Sequence, residues 1–249
     1  VRDWSSDVCS SDLLGVHKCC MASEPKPANM DGKGMVVGMN KGILFDVDGT
    51  LWDSAAQVAE SWNEVLARYP HLGVRITARD MYDNMGKTMM DIGKTLFPGL
   101  SQEECRKVME ECMTYENHYL LSHPGVLYPE TREIMACLSR QYGLYIVSNC
   151  QSGYIEVLLE SCGLREYVRD IECYGNTGLP KGDNIRMVVQ RNHLERCFYV
   201  GDTHMDEEAA GAAGIPFVHA AYGFGRAERP VGTIESLSQL TALAKKLLD

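Results

Sequence analysis

Two aspartates, Asp46 and Asp48, directly follow the apolar run Ile43-Leu-Phe45 and precede a Gly-Thr pair. An apolar run that ends in carboxylates is typical of a buried parallel strand whose carboxyl end opens into a functional site. Side chains two residues apart share one side of an extended chain, so the two carboxylates are expected to lie close together. Like charges at that distance repel each other unless a divalent cation or a shared proton stabilises them. A metal and a carboxylate nucleophile are suited to cleaving a phosphate ester through a phosphorylated aspartate.

Polar residues also occur at or behind the ends of three other predicted strands, which span residues 144–148, 170–174 and 197–201. In a doubly wound sheet the carboxyl ends of the parallel strands share one edge, and ligands bind beyond that edge. We therefore expect the side chains at these strand ends to meet at one site. They are Asp46, Asp48, Ser148, Asn149, Lys181, Asp202 and Asp206.

The elements that must position these residues alternate between helix and strand from Gly125 onward. Strands separated by helices pair in parallel through right-handed crossovers. The pattern therefore predicts an α/β fold with a doubly wound, Rossmann-like parallel sheet of five strands, the last at 216–220, and a closing helix at 234–248. Residues 54–124 carry only helical patterns, and Asp53 and Ser54 are the predicted cap of the first helix. The helices predicted there span residues 55–69, 78–84, 88–96 and 101–121, and Ser101-Gln-Glu-Glu104 is the signature of a capping box at the start of the last one.

The motif Asp46-Val-Asp48-Gly-Thr-Leu51 resembles the first motif of the haloacid dehalogenase (HAD) superfamily, in the form that its phosphatases carry. Three further motifs match in the same order, at Ser148, at Lys181 and at Gly201-Asp202, and the resemblance covers about residues 39–228. The chain is most similar to the phosphoglycolate-phosphatase-like group with a helical cap. The resemblance implies a core domain of residues 39–53 and 125–249 and a cap domain of residues 54–124.

The resemblance implies a role for each residue of the first two motifs. Asp46 is expected to be the nucleophile, and its second carboxylate oxygen is expected to bind the metal. Asp48 is expected to protonate the leaving alkoxide, then to activate water, and to offer its backbone carbonyl to the metal. The Ser148 hydroxyl and the Asn149 N–H are expected to donate hydrogen bonds to the phosphoryl group.

Lys181 and two further aspartates complete the expected site. Lys181 is expected to neutralise the phosphoryl group and the nucleophile, although Gly182 follows it where many relatives have proline. Asp202 and Asp206 are expected to bind Mg²⁺, which prefers oxygen ligands and keeps part of its water shell. Glu207 is the alternative to Asp206 in this role.

The segment Met85-Gly-Lys-Thr88 resembles the end of a phosphate-binding P-loop, but that motif needs a glycine where this chain has Met81. In relatives with a cap of this type, a glycine-containing loop covers the active site and selects the leaving group. The resemblance makes Gly86 and Lys87 candidates for such a loop, in which Lys87 would bind a carboxylate or a second anion of the substrate. The alternative is a helix break with a solvated lysine.

Composition argues against several classes of protein. The formal net charge of −10 makes the chain a poor candidate for binding the nucleic-acid backbone, and no apolar run is long enough to span a membrane. Seven of the 10 cysteines lie beyond residue 38, without Cys-x-x-Cys spacing, which argues against a zinc site and a disulfide framework. We expect a cytoplasmic monomer or homodimer whose partner is a small phosphorylated metabolite.

The first 38 residues differ from the rest of the chain. Residues 3–13 match one reading frame of a common sequencing-adapter primer, and residues 14–38 show no sustained periodicity. The run Leu13-Leu-Gly-Val16 is too short for the apolar part of a signal peptide. We expect a non-native or disordered leader over residues 1–38, with Met39 as the native start and Met35 as the alternative.

The sequence therefore predicts Mg²⁺-dependent hydrolysis of a small phosphate monoester through an aspartyl-phosphate. A hexose-phosphate mutase of the same fold is one alternative, and it would need cap groups that hold a sugar and exclude water. A catalytically silent sensor of a phosphorylated ligand is another. A dehalogenase would have no use for the second carboxylate or for the Asp202 and Asp206 pair. The identity of the ester is left open by the sequence.

Overall fold

A parallel sheet of six strands lies at the centre of the fold. The computed structural model describes residues 40–249, so the predicted leader and both candidate start residues, Met35 and Met39, lie outside the described residues. The predicted α/β class and doubly wound parallel sheet are confirmed. The strands are β1 Lys41–Phe45, β2 Trp52–Asp53, β3 Val126–Leu127, β4 Gly143–Ser148, β5 Val168–Cys173, β6 Arg196–Gly201, β7 Phe217–Ala220 and β8 Gly232–Ile234.

Strand β1 occupies an interior position of the sheet, whose order is β5-β4-β1-β6-β7-β8 with every neighbouring pair parallel. Ile43, Leu44 and Phe45 are fully buried. Successive side chains of a strand point to opposite faces, and accordingly Ile43 and Phe45 join one apolar cluster while Leu44 joins another. The continuous apolar run is thus explained by burial on both faces of the sheet.

Ten α-helices are present in residues 40–249, and within that range no helix combines the length and the apolar character that a membrane span requires. Four of them form a helical segment between β2 and β3, which pair in antiparallel fashion at its base. The capping box predicted at Ser101 and Glu104 is present at the start of the longest helix. The helices are α1 Ala55–Leu66, α2 Ala78–Tyr82, α3 Met89–Leu96, α4 Gln102–Ser122, α5 Thr131–Ser139, α6 Tyr154–Ser161, α7 Tyr174–Thr177, α8 Lys181–Arg191, α9 His204–Ala213 and α10 Leu240–Leu248.

The number of strands in the sheet corrects the sequence-based prediction of five. Strand β8 is the additional one, and it pairs with β7 through Ala220 and Ile234. It has only three residues, which is too short to show the alternation that identifies a strand. The closing helix begins at Leu240 and not at Ile234 as predicted, because Ile234 is a buried residue of β8.

Helix α1 begins at Ala55 as predicted, but only one of the two predicted cap residues caps it. Ser54 precedes the helix but makes no side-chain capping bond. Instead, the Asp53 carboxylate accepts a hydrogen bond from the Ala55 N–H at 3.0 Å, and the Ser54 hydroxyl points to Asp48. The side chain of Ser54 therefore contributes to the candidate site and not to the helix end.

Candidate active site

The carboxyl ends of the central strands bring together the residues that the sequence singled out. The strand β1 ends at Phe45, and Asp46 continues its ladder by donating its N–H to the Val200 carbonyl at 2.9 Å. Asp202 directly follows β6, which is the neighbour of β1 on one side, and Ser148 ends β4, its neighbour on the other. Because these three strands are adjacent and parallel, their ends lie side by side.

Lys181 is the first residue of α8, and its ammonium group joins two of the aspartates. Its Nζ lies 2.9 Å from Asp46 Oδ1 and 2.7 Å from Asp206 Oδ1, and all three side chains are buried. Burial by itself lowers the pKa of Lys181, but the carboxylates of Asp206 and Asp46 raise it overall. Burial raises the pKa of Asp46 to about 6, with repulsion by Asp206 adding to the effect and Lys181 opposing it. Lys181 therefore favours the ionised form of Asp46 inside a dry site.

Asp206 is held by a capping box at the start of α9. Its Oδ2 accepts hydrogen bonds from the Thr203 N–H at 3.0 Å and from the Thr203 hydroxyl at 2.7 Å. Glu207, the alternative proposed from sequence, accepts hydrogen bonds from the backbone N–H groups of Glu228 and Arg229. The helix start therefore directs Asp206 toward Lys181 and Glu207 toward a different loop.

Asp202 has one carboxylate oxygen that is satisfied and one that is not. Its Oδ2 accepts hydrogen bonds from the N–H groups of Phe224 at 2.8 Å and Gly225 at 3.2 Å. Its Oδ1 is buried and has no hydrogen-bond partner within the described residues. Burial, followed by repulsion from Asp206 and Asp46, raises the pKa of Asp202 to about 8. A buried oxygen without a donor is costly, and a bound cation would compensate for that cost.

Three carboxylates form a cluster that could hold a metal ion. One oxygen from each of Asp46, Asp202 and Asp206 lies within 4.8 Å of the other two, and all three residues are buried. Among residues 40–249, neither the Asp48 carboxylate nor that of Glu207 belongs to this cluster. A Cβ at Gly49 would lie 2.3 Å from Asp202 Oδ2, so the backbone packs closely against the cluster. Hard oxygen donors in a small buried group suit Mg²⁺. We call Asp46, Lys181, Asp202 and Asp206 the sheet edge.

Asp48 is held by three hydrogen-bond donors that the sequence did not reveal. Its Oδ1 accepts from the Ser54 hydroxyl at 2.7 Å, from the Tyr154 hydroxyl at 2.8 Å and from Trp52 Nε1 at 3.0 Å. Burial raises the pKa of Asp48, and these three hydrogen bonds oppose the rise. Tyr154 lies 106 residues from Asp48 in the chain, so no local pattern could have identified it.

Ser148, Asn149 and the candidate loop residues Gly86 and Lys87 line one cavity with Asp46 and Asp48. The Asn149 side chain donates a hydrogen bond to the Gly86 carbonyl at 2.8 Å, which links the helical segment to the end of β4. The Lys87 ammonium lies 2.9 Å from Asn84 Oδ1. Gly86 has a φ of 83°, which favours glycine at this turn. The loop thus reaches the cavity. A role for Gly86 and Lys87 in binding the leaving group stays a prediction.

The helices of residues 55–122 supply the opposite side of this cavity, and it is mostly apolar. Apart from Lys87, which lies in the loop between α2 and α3, the exception is Glu116 of α4, which is only 2% exposed. The sequence contains a signal for it, because Glu116 continues the apolar stripe of Cys105, Met109 and Cys112 at helical spacing. We call this side the helical wall, formed by Val58, Trp62, Met81, Met85, Met89, Ile92 and Glu116.

Comparisons with known proteins agree with this arrangement. The sequence profile of the haloacid dehalogenase-like hydrolases matches residues 43–220. A phosphoglycolate phosphatase of Vibrio vulnificus is 27% identical over 80% of this chain and 93% of its own length, and one of Mesorhizobium japonicum is 28% identical over 83% and 94%. The fold is shared with a haloacid dehalogenase-like family hydrolase of Streptococcus pneumoniae, with a TM-score of 0.68 and 21% identity over 81% of this chain and 97% of that one.

Proposed function

Because this chain belongs to the haloacid dehalogenase-like hydrolase family, we propose that it is a Mg²⁺-dependent phosphatase of small phosphate monoesters. The reaction would pass through an aspartyl-phosphate on Asp46. The observation that carries the proposal is the buried arrangement of Asp46, Asp202 and Asp206 around the Lys181 ammonium. Two relatives named phosphoglycolate phosphatase, each aligned over more than 90% of its own length, support the same chemistry.

In the first step of the proposed reaction, an Asp46 oxygen attacks phosphorus and the bond to the leaving oxygen breaks. Lys181 keeps Asp46 ionised and neutralises the charge that the phosphoryl group brings. Asp48 gives its proton to the leaving alkoxide. All three donors to Asp48 bind Oδ1, which makes Oδ2 the oxygen that carries this proton. In the second step Asp48 takes a proton from water, the water attacks phosphorus, and inorganic phosphate leaves Asp46.

The metal would be held by Asp46, Asp202 and Asp206, with the backbone carbonyl of Asp48 as the further ligand that the family resemblance implies. Bound Mg²⁺ would supply positive charge for the phosphoryl oxygens. The unpartnered Asp202 Oδ1 supports this assignment. In the same proposal the Ser148 hydroxyl and the Asn149 N–H donate hydrogen bonds to the phosphoryl group.

Residues 54–124 would act as a cap that closes over a core of residues 39–53 and 125–249 and excludes bulk water. Two contacts support this division. Tyr82 of α2 donates a hydrogen bond to the Asp53 carboxylate at 2.8 Å, and Asn149 donates one to Gly86. The proposed partner is a small phosphorylated metabolite, and the proposed location is the cytoplasm.

The test is phosphate release by the full chain from a panel of monoesters, with Mg²⁺ and with a chelator. We expect release that needs Mg²⁺ and that Asp46→Asn abolishes, because an amide cannot form the phosphorylated intermediate. Asp249→Asn is the matched control, since it makes the same chemical change at a residue that is paired with Lys41 and lies outside the site. Folded protein that releases no phosphate from any ester would contradict the proposal.

A further inference from the structure

Glu116 is a buried carboxyl group of the helical wall. It lies on α4 and lines the same cavity as Asp46 and Asp48. Its Oε2 accepts a hydrogen bond from Trp62 Nε1 at 2.5 Å, and its Oε1 accepts one from Gln151 Nε2 at 2.9 Å. The proposed mechanism does not use it, and burying a carboxyl group costs free energy. Its position therefore calls for an explanation.

The surroundings of Glu116 leave it able to accept further hydrogen bonds. Each carboxylate oxygen has about two acceptor sites, and the protein fills one on each oxygen with a donor from Trp62 or Gln151. Burial raises the pKa of Glu116 to about 7, Gln151 and Trp62 lower it in part, and Asp48 raises it. The cation on the same cavity, Lys87, has its ammonium group beside Asn84.

This end of the cavity therefore favours some leaving groups over others. Above its pKa of about 7, Glu116 carries a negative charge at this end, and the rest of the helical wall is apolar. A leaving group with its own carboxylate would bring a second negative charge into this desolvated space beside Glu116, and placing like charges side by side is strongly unfavourable. A leaving group with a hydrogen-bond donor would instead fill the open acceptor sites of Glu116.

We propose that Glu116 is a specificity-determining residue, which accepts a hydrogen bond from a hydroxyl or ammonium group of the leaving alcohol and rejects an alcohol that carries a carboxylate. This inference rests on the proposed phosphatase function and narrows its substrate class to phosphate monoesters of neutral or cationic alcohols. The substrate class thereby differs from phosphoglycolate, after which the relatives are named.

The test compares four esters that share a two-carbon leaving group and differ only in its far end. They are 2-phosphoglycolate, 2-hydroxyethyl phosphate, 2-aminoethyl phosphate and ethyl phosphate. For the full chain with Mg²⁺ at pH 8, where Glu116 is ionised, we expect kcat/KM for the better of the hydroxyl and ammonium esters to exceed that for phosphoglycolate at least about tenfold. Ethyl phosphate, which has neither donor nor charge at that end, should fall between them. The hydroxyl and ammonium arms distinguish a neutral from a cationic substrate.

Glu116→Gln removes the charge and keeps the size of the side chain. We expect the ratio of kcat/KM for the preferred donor ester to kcat/KM for phosphoglycolate to fall to within about threefold, mainly because KM for phosphoglycolate decreases. Glu103→Gln is the matched control, because Glu103 lies on the same helix but is exposed and paired with Arg106, and it should keep the wild-type preference. Glu116→Met, of similar volume, is the second variant if Glu116→Gln does not fold. A ratio of two substrates on one preparation is unaffected by a partly inactive sample.

Two results would overturn the inference while leaving the phosphatase function intact. In the first, the wild type hydrolyses phosphoglycolate as well as or better than the donor esters, and Lys87→Met loses that activity. Lys87 would then be the residue that binds the carboxylate of the leaving group. The other is a donor preference that Glu116→Gln and Glu116→Met leave unchanged. Absence of release from all four esters and from the wider panel would overturn the phosphatase function itself, and the inference with it.

Discussion

The sheet edge gathers three aspartates around one lysine, whereas the helical wall that faces it surrounds a single carboxyl group, that of Glu116, with apolar side chains. The residues of the sheet edge hold one another through short contacts between charged groups. The carboxyl group of the helical wall is held by neutral donors from Trp62 and Gln151. The first arrangement suits a reaction that moves a highly charged group, and the second suits a choice among leaving groups. One side of the cavity thus carries the residues proposed to catalyse the reaction, and the other carries the residue proposed to select the leaving group.

The two regions also differ in what fixes them. Asp46, Ser148 and Asp202 stand at the ends of adjacent strands, whose ladder of backbone hydrogen bonds sets their spacing. The helical wall packs on the core through a shared apolar cluster that includes Trp62 and Phe45. Individual side-chain hydrogen bonds, such as Tyr82 with Asp53 and Asn149 with Gly86, add to this packing. Substitutions at the sheet edge should therefore have large effects, and substitutions at the contacts of the helical wall should have small ones.

Lys181→Met, at the sheet edge, should have the largest effect on activity and on stability. It removes the cation that lies within 2.9 Å of both Asp46 and Asp206. We expect phosphate release to fall by at least about 10²–10³-fold, and the free energy of unfolding to fall by about 3–5 kcal/mol, because buried carboxylates lose their partner. Steady-state kinetics and urea unfolding at pH 7.5 measure the two effects.

The control for this prediction is Lys41→Met, which removes a half-exposed pair with Asp249. An exposed ion pair contributes only about 0–1 kcal/mol, so this variant should remain close to the wild type. If Lys181→Met were as stable and as active as Lys41→Met, the contacts of Lys181 with Asp46 and Asp206 would contribute neither to stability nor to activity.

Asp202→Asn should remove the response of the protein to Mg²⁺. Saturating ligand at about 100 times its dissociation constant stabilises the folded state by about 2.7 kcal/mol, so the wild type should unfold at a higher temperature with Mg²⁺ than with a chelator. Asp202 supplies the buried oxygen that lacks a partner, and the amide is a weaker ligand. Thermal unfolding with Mg²⁺ and with chelator gives the difference directly.

Glu207→Gln is the matched control for the metal, since Glu207 lies on the same helix as Asp206 but binds the N–H groups of Glu228 and Arg229. We expect it to keep the Mg²⁺ response. If the stabilisation by Mg²⁺ persisted in Asp202→Asn but was lost in Glu207→Gln, the metal site would not lie at the sheet edge.

Glu116→Gln should change how stability depends on pH. The pKa of Glu116 is raised from 4.5 to about 7 by burial first, and Asp48 is the charged group that contributes to the rise. Between these pH values the unfolded chain loses the proton while the folded protein keeps it, so Glu116 lowers stability as pH rises through this window. Relative to the wild type, Glu116→Gln should therefore gain on the order of 3 kcal/mol between pH 4.5 and pH 7.5.

Urea unfolding of both proteins at pH 4.5, 6 and 7.5, with chelator present, measures this gain. Glu103→Gln serves again as the control, because Glu103 is exposed and its substitution should not alter the pH dependence. A constant difference between Glu116→Gln and the wild type across these pH values would show that Glu116 titrates normally.

Tyr82→Phe should have the smallest effect. It removes the hydrogen bond from the Tyr82 hydroxyl to Asp53 but keeps the ring, which lies 4.9 Å from the Phe224 ring. We expect a loss of about 1 kcal/mol in unfolding free energy and a modest rise in KM, because the helical wall would be less firmly joined to the core. Tyr115→Phe, which removes a hydroxyl contact with Glu64 within the helical segment, should leave KM unchanged. Equal KM effects in the two variants would argue against a role for Tyr82 in joining these regions.

The fold class and most of the sheet edge follow from the amino-acid sequence alone. The apolar run before Asp46 must be buried on both faces, and alternating helices and strands allow only parallel pairing. The parallel strands then bring Asp46, Ser148 and Asp202 to one edge, as the prediction required. The order of the four motifs predicted the family, and the capping box at Ser101 predicted the start of α4. These features depend on local pattern and on topology alone.

Which side chains share the cavity depends on the packing of distant elements. The hydroxyl of Tyr154 reaches Asp48 from 106 residues away, and Ser54 turns toward Asp48 instead of capping its helix. Strand β8 is visible only through its pairing with β7. Glu116 could be recognised as a carboxyl on an apolar stripe, but its place in the same cavity as Asp48 depends on how α4 packs against α1 and α6. Such contacts follow from the relative placement of distant elements, which no local spacing encodes.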